Sequence, residues 1–258
     1  MFPVRIPMLM YHRIGDTGRD RRYTVAPEDF RRQMTYLRDH SYRVVNLATL
    51  LRLLNGEESL TGNVTVITFD DGFQDTIDHA CPILNEFHFS ATFFIISSLM
   101  GHTNRWMQDA GYPAARLIDW EQARDLDADG FSIGSHTATH PILPELDDDT
   151  AAAEIRDSKC RIEDHLSIPV HFFAYPYGRF DQRERNLVQE SGYHGACSTR
   201  AGFNAPDVDR FALRRLDIYG TDVISTFGRN LVFGENQMNL RRVTQYYLRR
   251  GVARFALP

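Results

Sequence analysis

Short runs of β-branched and aromatic residues alternate along this chain with longer stretches whose apolar positions recur at helical spacing. Seven runs read as strands: Ile6–Tyr11, Tyr42–Val45, Val64–Phe69, Ala91–Ile96, Phe131–Gly134, His171–Tyr175 and His194–Cys197. Each is short and nearly continuously apolar, as parallel strands buried on both faces are. Between the first two, Pro27–His40 opens with Pro, Glu and Asp and sets Phe30, Met34 and Leu37 on one stripe, so a helix start and an amphipathic face coincide. Phe73–Phe87, Asp119–Asp127, Asp148–Leu166 and Asp181–Ser191 repeat that pattern. Strand and helix in alternation predict an α/β fold, and seven strands favour a barrel over an open sheet. In such a barrel, chemistry gathers where the strands end.

Composition narrows the picture. A chain of 258 residues, 43 % hydrophobic, can bury one sizeable core without staples, and no repeat or linker divides it. The net charge of −5 argues against a nucleic-acid partner, whose phosphates would have to be neutralised. Cys81, Cys160 and Cys197 are odd in number and far apart, which predicts neither a disulfide framework nor a thiolate metal site; they read as small buried hydrophobes. Neither a leader pattern nor a spanning apolar run occurs, so the sequence as it stands reads as soluble and cytoplasmic, or extracytoplasmic if a leader has been removed. Residues 1–235 form the expected barrel domain, and 236–258 a basic C-terminal helix and tail. Arg241, Arg242, Arg249, Arg250 and Arg254 are met there by no acid after Glu235. That helix either docks on the barrel through Leu240, Val243 and Tyr247, the favoured reading, or makes peripheral contact with an anionic membrane.

Three strand ends carry unusual polar residues. Thr68-Phe69-Asp70-Asp71-Gly72 closes one apolar run with two adjacent carboxylates, and Gly72 supplies a place for the chain to turn. One Asp could ligate while the other stays free, or one could simply cap the next helix. Gly134-Ser135-His136-Thr137-Ala138-Thr139-His140 closes another; in a helical turn, His136 and His140 at i, i+4 would face one ion. Two imidazoles and a carboxylate leave positions open for water and substrate, as a catalytic zinc site requires. In His171-Phe172-Phe173-Ala174-Tyr175-Pro176-Tyr177-Gly178 an aromatic strand breaks at Pro and Gly, where exposed backbone N–H groups could serve an oxyanion. Phe172 and Phe173 read as core, Tyr175 and Tyr177 less so.

Taken in order, TFDDG, SHTATH and FAYPYG resemble the polysaccharide deacetylase, or NodB-homology, family of carbohydrate esterases, over roughly Ile6 to Leu216. The resemblance implies a distorted (β/α)7 barrel that hydrolyses the acetamide of N-acetylated hexosamine units in an oligo- or polysaccharide. It implies Asp70 as general base and Asp71, His136 and His140 as ligands of one divalent metal ion, commonly zinc. The Tyr177 backbone N–H would share the oxyanion. Ala174 and Tyr175 replace the Arg-Pro that usually precedes the third motif, and the late motifs bearing the acid are missing. A subset resembling the poly-N-acetylglucosamine deacetylases carries those motifs in permuted order at the N-terminus, which makes His12, after Leu9-Met10-Tyr11, the expected acid. Arg215 then stands as the replacement for the arginine that holds the base. Trp106 and Trp120, with Tyr175, are the expected sugar-stacking residues, although both tryptophans could instead anchor loops. Another amidase, an O-acetyl esterase or a non-catalytic carbohydrate-binding relative are the competing readings.

Overall fold

The computed structural model describes residues 5–16, 21–108 and 111–236. Its strands are β1 (Met8–Tyr11), β2 (Arg13–Ile14), β3 (Thr24–Val25), β4 (Tyr42–Val44), β5 (Asn63–Phe69), β6 (Thr92–Ile95), β7 (Ser132–Ser135), β8 (Phe172–Ala174), β9 (Gly195–Cys197) and β10 (Leu216–Asp217). The helices are α1 (Pro27–Asp39), α2 (Leu47–Leu54), α3 (Gln74–Phe87), α4 (Arg105–Gln108), α5 (Trp120–Ala128), α6 (Asp148–Leu166), α7 (Gln182–Glu190) and α8 (Ile224–Phe233). The main sheet runs β10-β1-β5-β6-β7-β8-β9, with β4 also paired to β5, and its pairings are parallel. Between β9 and β10 the barrel is closed by irregular chain, through the parallel bridge Cys197↔Leu213. This is a distorted parallel (β/α)7 barrel in one domain, the architecture expected from the sequence.

Side chains of a strand alternate between its two faces, and the core divides accordingly. Met8, Val64, Val66, Phe94, Phe172, Ala174 and Cys197 point inward, where Leu47, Leu50, Leu53 and Leu54 of α2 join them. Leu9, Tyr11, Ile67, Phe69, Phe93, Ile133 and Phe173 take the other face and pack with Phe30, Met34 and Leu37 of α1 and with Ile155 and Ile162 of α6. Caps fix where helices begin: Asp119 with Gln122 and Asp181 with Glu184 form capping boxes on α5 and α7, and Asp147 caps α6.

All seven expected strands are present, with their ends displaced by up to two residues. Missing from the sequence reading are β2, β3 and β10, whose two residues are too few to display a period, and α2, α4 and α8. Cys81 and Cys197 are buried, but Cys160 is exposed on α6, a correction to the expectation for all three. The run Arg241, Arg242, Arg249, Arg250 and Arg254 lies outside the described residues. Among the described residues, no helix is long and apolar enough to cross a membrane.

Candidate active site

Strand parity places the first aspartate. Asp70 continues the inward row of Val64, Val66 and Thr68, and its backbone N–H still pairs with Tyr11 O at 3.0 Å. Arg215, fully buried just before β10, meets it with both terminal nitrogens, Nη1 to Oδ1 at 2.6 Å and Nη2 to Oδ2 at 2.8 Å. Arg215 Nε donates to Ser198 O at 2.9 Å, so the guanidinium is held from both sides. Burial alone would raise the Asp70 carboxyl; the charges of Arg215 and His136 outweigh it and hold Asp70 below the ordinary carboxylate range.

Asp71, next along, would point away from Asp70 in an extended strand. Its backbone instead turns left-handed, with φ 74°, and Gly72 follows with φ 74°, which swings both carboxylates to the barrel mouth. A non-glycine residue in that region is strained. The two histidines arrive differently from the helical turn expected of HxxxH. His136 continues the β7 ladder, donating to Ile95 O at 2.9 Å, after which Thr137 (φ 68°) and His140 (φ 66°) break the chain into a left-handed loop. That loop is fastened by Glu154 of α6, whose carboxylate accepts from the Ala138 and Thr139 N–H groups, both at 2.9 Å, and from the Thr139 hydroxyl at 2.7 Å. Loop and strand thereby bring His136 Nε2 and His140 Nε2 each to 3.4 Å from Asp71 Oδ1.

One potential ligand atom from each of Asp71, His136 and His140 lies within 4.8 Å of the others, and all three residues are buried. His136 Nδ1 sits 2.8 Å from Ala174 O, which fixes the donor tautomer on that side and turns Nε2 to the centre. Asp71 Oδ1 and His140 Nδ1 are buried without a hydrogen-bond partner, a cost that a cation at the centre would relieve for the carboxylate. Burial opposes the charge on Asp71, but the two imidazoles outweigh it and bring the carboxyl to about 2. Burial likewise dominates at His140, pulling it down to about 3, so its imidazole is neutral and free to ligate. An N₂O donor set of this kind could hold a divalent transition-metal ion.

Around the triad lies a cleft of about 540 Å³, lined by Asp70, His12, Asp217, Tyr23, Tyr219, Trp106 and Tyr177 among others. His12 follows β1 directly and lies edge-on to Tyr23, with ring centroids 5.2 Å apart. Trp106 is tilted over His140 at 4.8 Å, and the half-exposed Tyr177 ring meets His140 at 4.6 Å with its backbone at φ 57°. Two expected sugar-stacking residues are elsewhere. Tyr175 is fully buried, stacked on Phe180 at 4.1 Å with its hydroxyl bound to Phe211 O at 3.1 Å, because the row of β8 continues it into the core. Trp120 begins α5 and stacks on His165 of α6 at 4.1 Å, a helix-to-helix contact outside the cleft. Asp217, Glu154, Tyr23 and Tyr219 escaped the sequence reading. Only Asp217 carried a signal, as an acid between Leu216 and Ile218 directly after the Arg214-Arg215 pair.

Comparison with known proteins gives a consistent picture. The sequence profile described as Polysaccharide deacetylase matches residues 57–196. YxkH of Bacillus subtilis, assigned by its name to the polysaccharide deacetylases, is 27 % identical over 226 residues, spanning 88 % of this chain and 76 % of that one. The poly-beta-1,6-N-acetyl-D-glucosamine N-deacetylase of Staphylococcus epidermidis is 23 % identical over 203 residues, 75 % of this chain and 68 % of its own. Among solved structures, the Streptococcus pyogenes deacetylase PplD in complex with acetate superposes with a TM-score of 0.77 at 25 % identity, covering 89 % of this chain and 99 % of that one.

Proposed function

The chain belongs to the polysaccharide deacetylase family, whose members hydrolyse carbon–nitrogen bonds other than peptide bonds, and from that premise we propose a metal-dependent N-deacetylase acting on a polymer of N-acetylhexosamine. The observation that carries this reading is the buried Asp71, His136 and His140 triad standing beside an aspartate clamped by Arg215. The relative named for poly-beta-1,6-N-acetyl-D-glucosamine supports that glycan as the substrate class. A divalent ion held by the triad would supply Lewis acidity for the acetamide carbonyl and a water of lowered pKa.

The chain's own residues do the rest. Asp70, kept ionised by Arg215, accepts the proton of the attacking water; a carboxylate offers about four lone-pair directions, and the bidentate arginine takes two. The Tyr177 N–H, presented by the left-handed turn after β8, donates to the developing oxyanion. His12 protonates the departing amine, which is otherwise too basic to leave. Asp217, on the strand beside β1, lines the same cleft as His12. The test is acetate release from N-acetylglucosamine oligomers against O-acetyl xylan and small amides. The oligomers are expected to be the preferred substrate; preference for the ester or the small amides would overturn the assignment.

A further inference from the structure

The order of strands separates two groups of aromatic side chains at the barrel mouth. Trp106 and Tyr177 enter after β6 and β8 and both contact His140. Tyr23 and Tyr219 enter on the other arc, just before β3 and just after β10, with β1 and the aspartates that follow β5 between the groups. Tyr23 and Tyr219 lie edge to face with centroids 6.0 Å apart, and Arg22 covers both rings, its guanidinium carbon 5.4 Å from one and 4.9 Å from the other. Their backbones are fixed together. Tyr23 O accepts from Arg13 N–H at 3.1 Å, Gly220 N–H donates to Arg22 O at 3.1 Å, and a Cβ at Gly220 would overlap the carbonyl oxygen of Thr24. Tyr219 N–H is held by Asp222 at 3.0 Å. Both rings are part-exposed in the cleft, so this wall is preorganised and wet on one side.

We propose that Tyr23 and Tyr219 form a second sugar subsite, which binds the residue neighbouring the one being deacetylated and makes the enzyme selective for a chain over a single sugar. The inference rests on the N-deacetylase reading. Apolar C–H faces of a pyranose lie well on aromatic rings. Because Tyr23 touches His12 and Trp106 touches His140, a chain crossing the cleft presents one sugar to the triad and the next to the tyrosines. Binding a remote sugar there helps hold the scissile acetamide in place, so the gain falls on kcat/KM for longer substrates. The experiment compares kcat/KM on an N-acetylglucosamine hexamer with that on p-nitrophenyl acetate, which has no sugar to stack. Tyr219→Ala and Tyr23→Ala are each expected to lower the hexamer-to-aryl-acetate ratio by about tenfold, and Tyr219→Phe to retain it. Equal losses on both substrates, or a Tyr219→Phe loss as large as that of Tyr219→Ala, would overturn the subsite. A wild-type enzyme that cleaves the aryl ester but releases no acetate from the hexamer would instead overturn the deacetylase reading on which the subsite rests.

Discussion

The two adjacent aspartates show how much one backbone dihedral decides. Asp70 is held on the inward row by Arg215, while Asp71 joins the histidines only because its φ of 74° breaks the alternation. Residue types and spacing made a candidate metal site legible in the sequence, but not which Asp would ligate, since a left-handed turn leaves no mark except the glycine beside it. The roles predict separable phenotypes. Asp70→Asn is expected to lose activity with metal content near wild type, and Asp71→Asn to lose both; elemental analysis of the purified variants distinguishes them, and equal metal loss in both would refute the assignment. His12, the proposed acid, was legible only through a permuted resemblance. A general acid contributes about 10²–10⁴-fold, so His12→Ala is expected to cost that much on the N-acetyl sugar but far less on an aryl acetate, whose leaving group needs little protonation. Similar losses on both substrates would return His12 to a structural role.

The longest periodic element was read from the sequence, and the two-residue strands were missed. The 19-residue α6 was legible end to end, whereas β10 was not, because two residues carry no period. What the pattern of α6 did not reveal is that Glu154 reaches out of it to three donors of the ligand loop. Partners that orient metal ligands typically govern 10–100-fold of metal affinity, so Glu154→Ala is expected to weaken zinc binding by about that factor in a chelator competition titration, with the fold intact. Unchanged affinity would show that the loop holds itself. At the other end of the barrel, His171 and His194 stack at 4.2 Å where β8 and β9 begin. Burial lowers the His171 pKa, helped by the charges of His194 and Lys159 against that of Glu163. Below an unfolded value of about 6.5, the unfolded chain takes up a proton that the folded one refuses, so stability falls as pH drops from there through the folded pKa. His171→Asn is expected to reduce the fall in Tm between about pH 7 and pH 5; an unaltered slope would place the titration elsewhere.

At the scale of the whole molecule, parallel topology turns motifs far apart in sequence into one site. His12, Asp70, His136, Tyr177 and Asp217 all follow or close strands of the same sheet and meet at its carboxyl end. The fold class was legible because buried parallel strands announce themselves as apolar runs; the identity of Tyr175 and Trp120 as packing residues was not, because an aromatic ring reads the same in sequence whether it faces a sugar or a helix. Tyr23 and Tyr219 lie nearly two hundred residues apart and become neighbours only through the β1–β10 and β2–β3 pairings. The central claim is that this barrel releases acetate from an N-acetylated glycan through a divalent ion held by Asp71, His136 and His140. Its most direct test is acetate release from N-acetylglucosamine oligomers by chelator-treated protein titrated with zinc, for the wild type and for His140→Ala. Wild-type activity is expected to disappear on metal removal and to return to a plateau at one ion per chain, while the variant neither retains the ion nor recovers. Acetate release that survives metal removal, or a His140→Ala variant that binds zinc and turns over like the wild type, would contradict it.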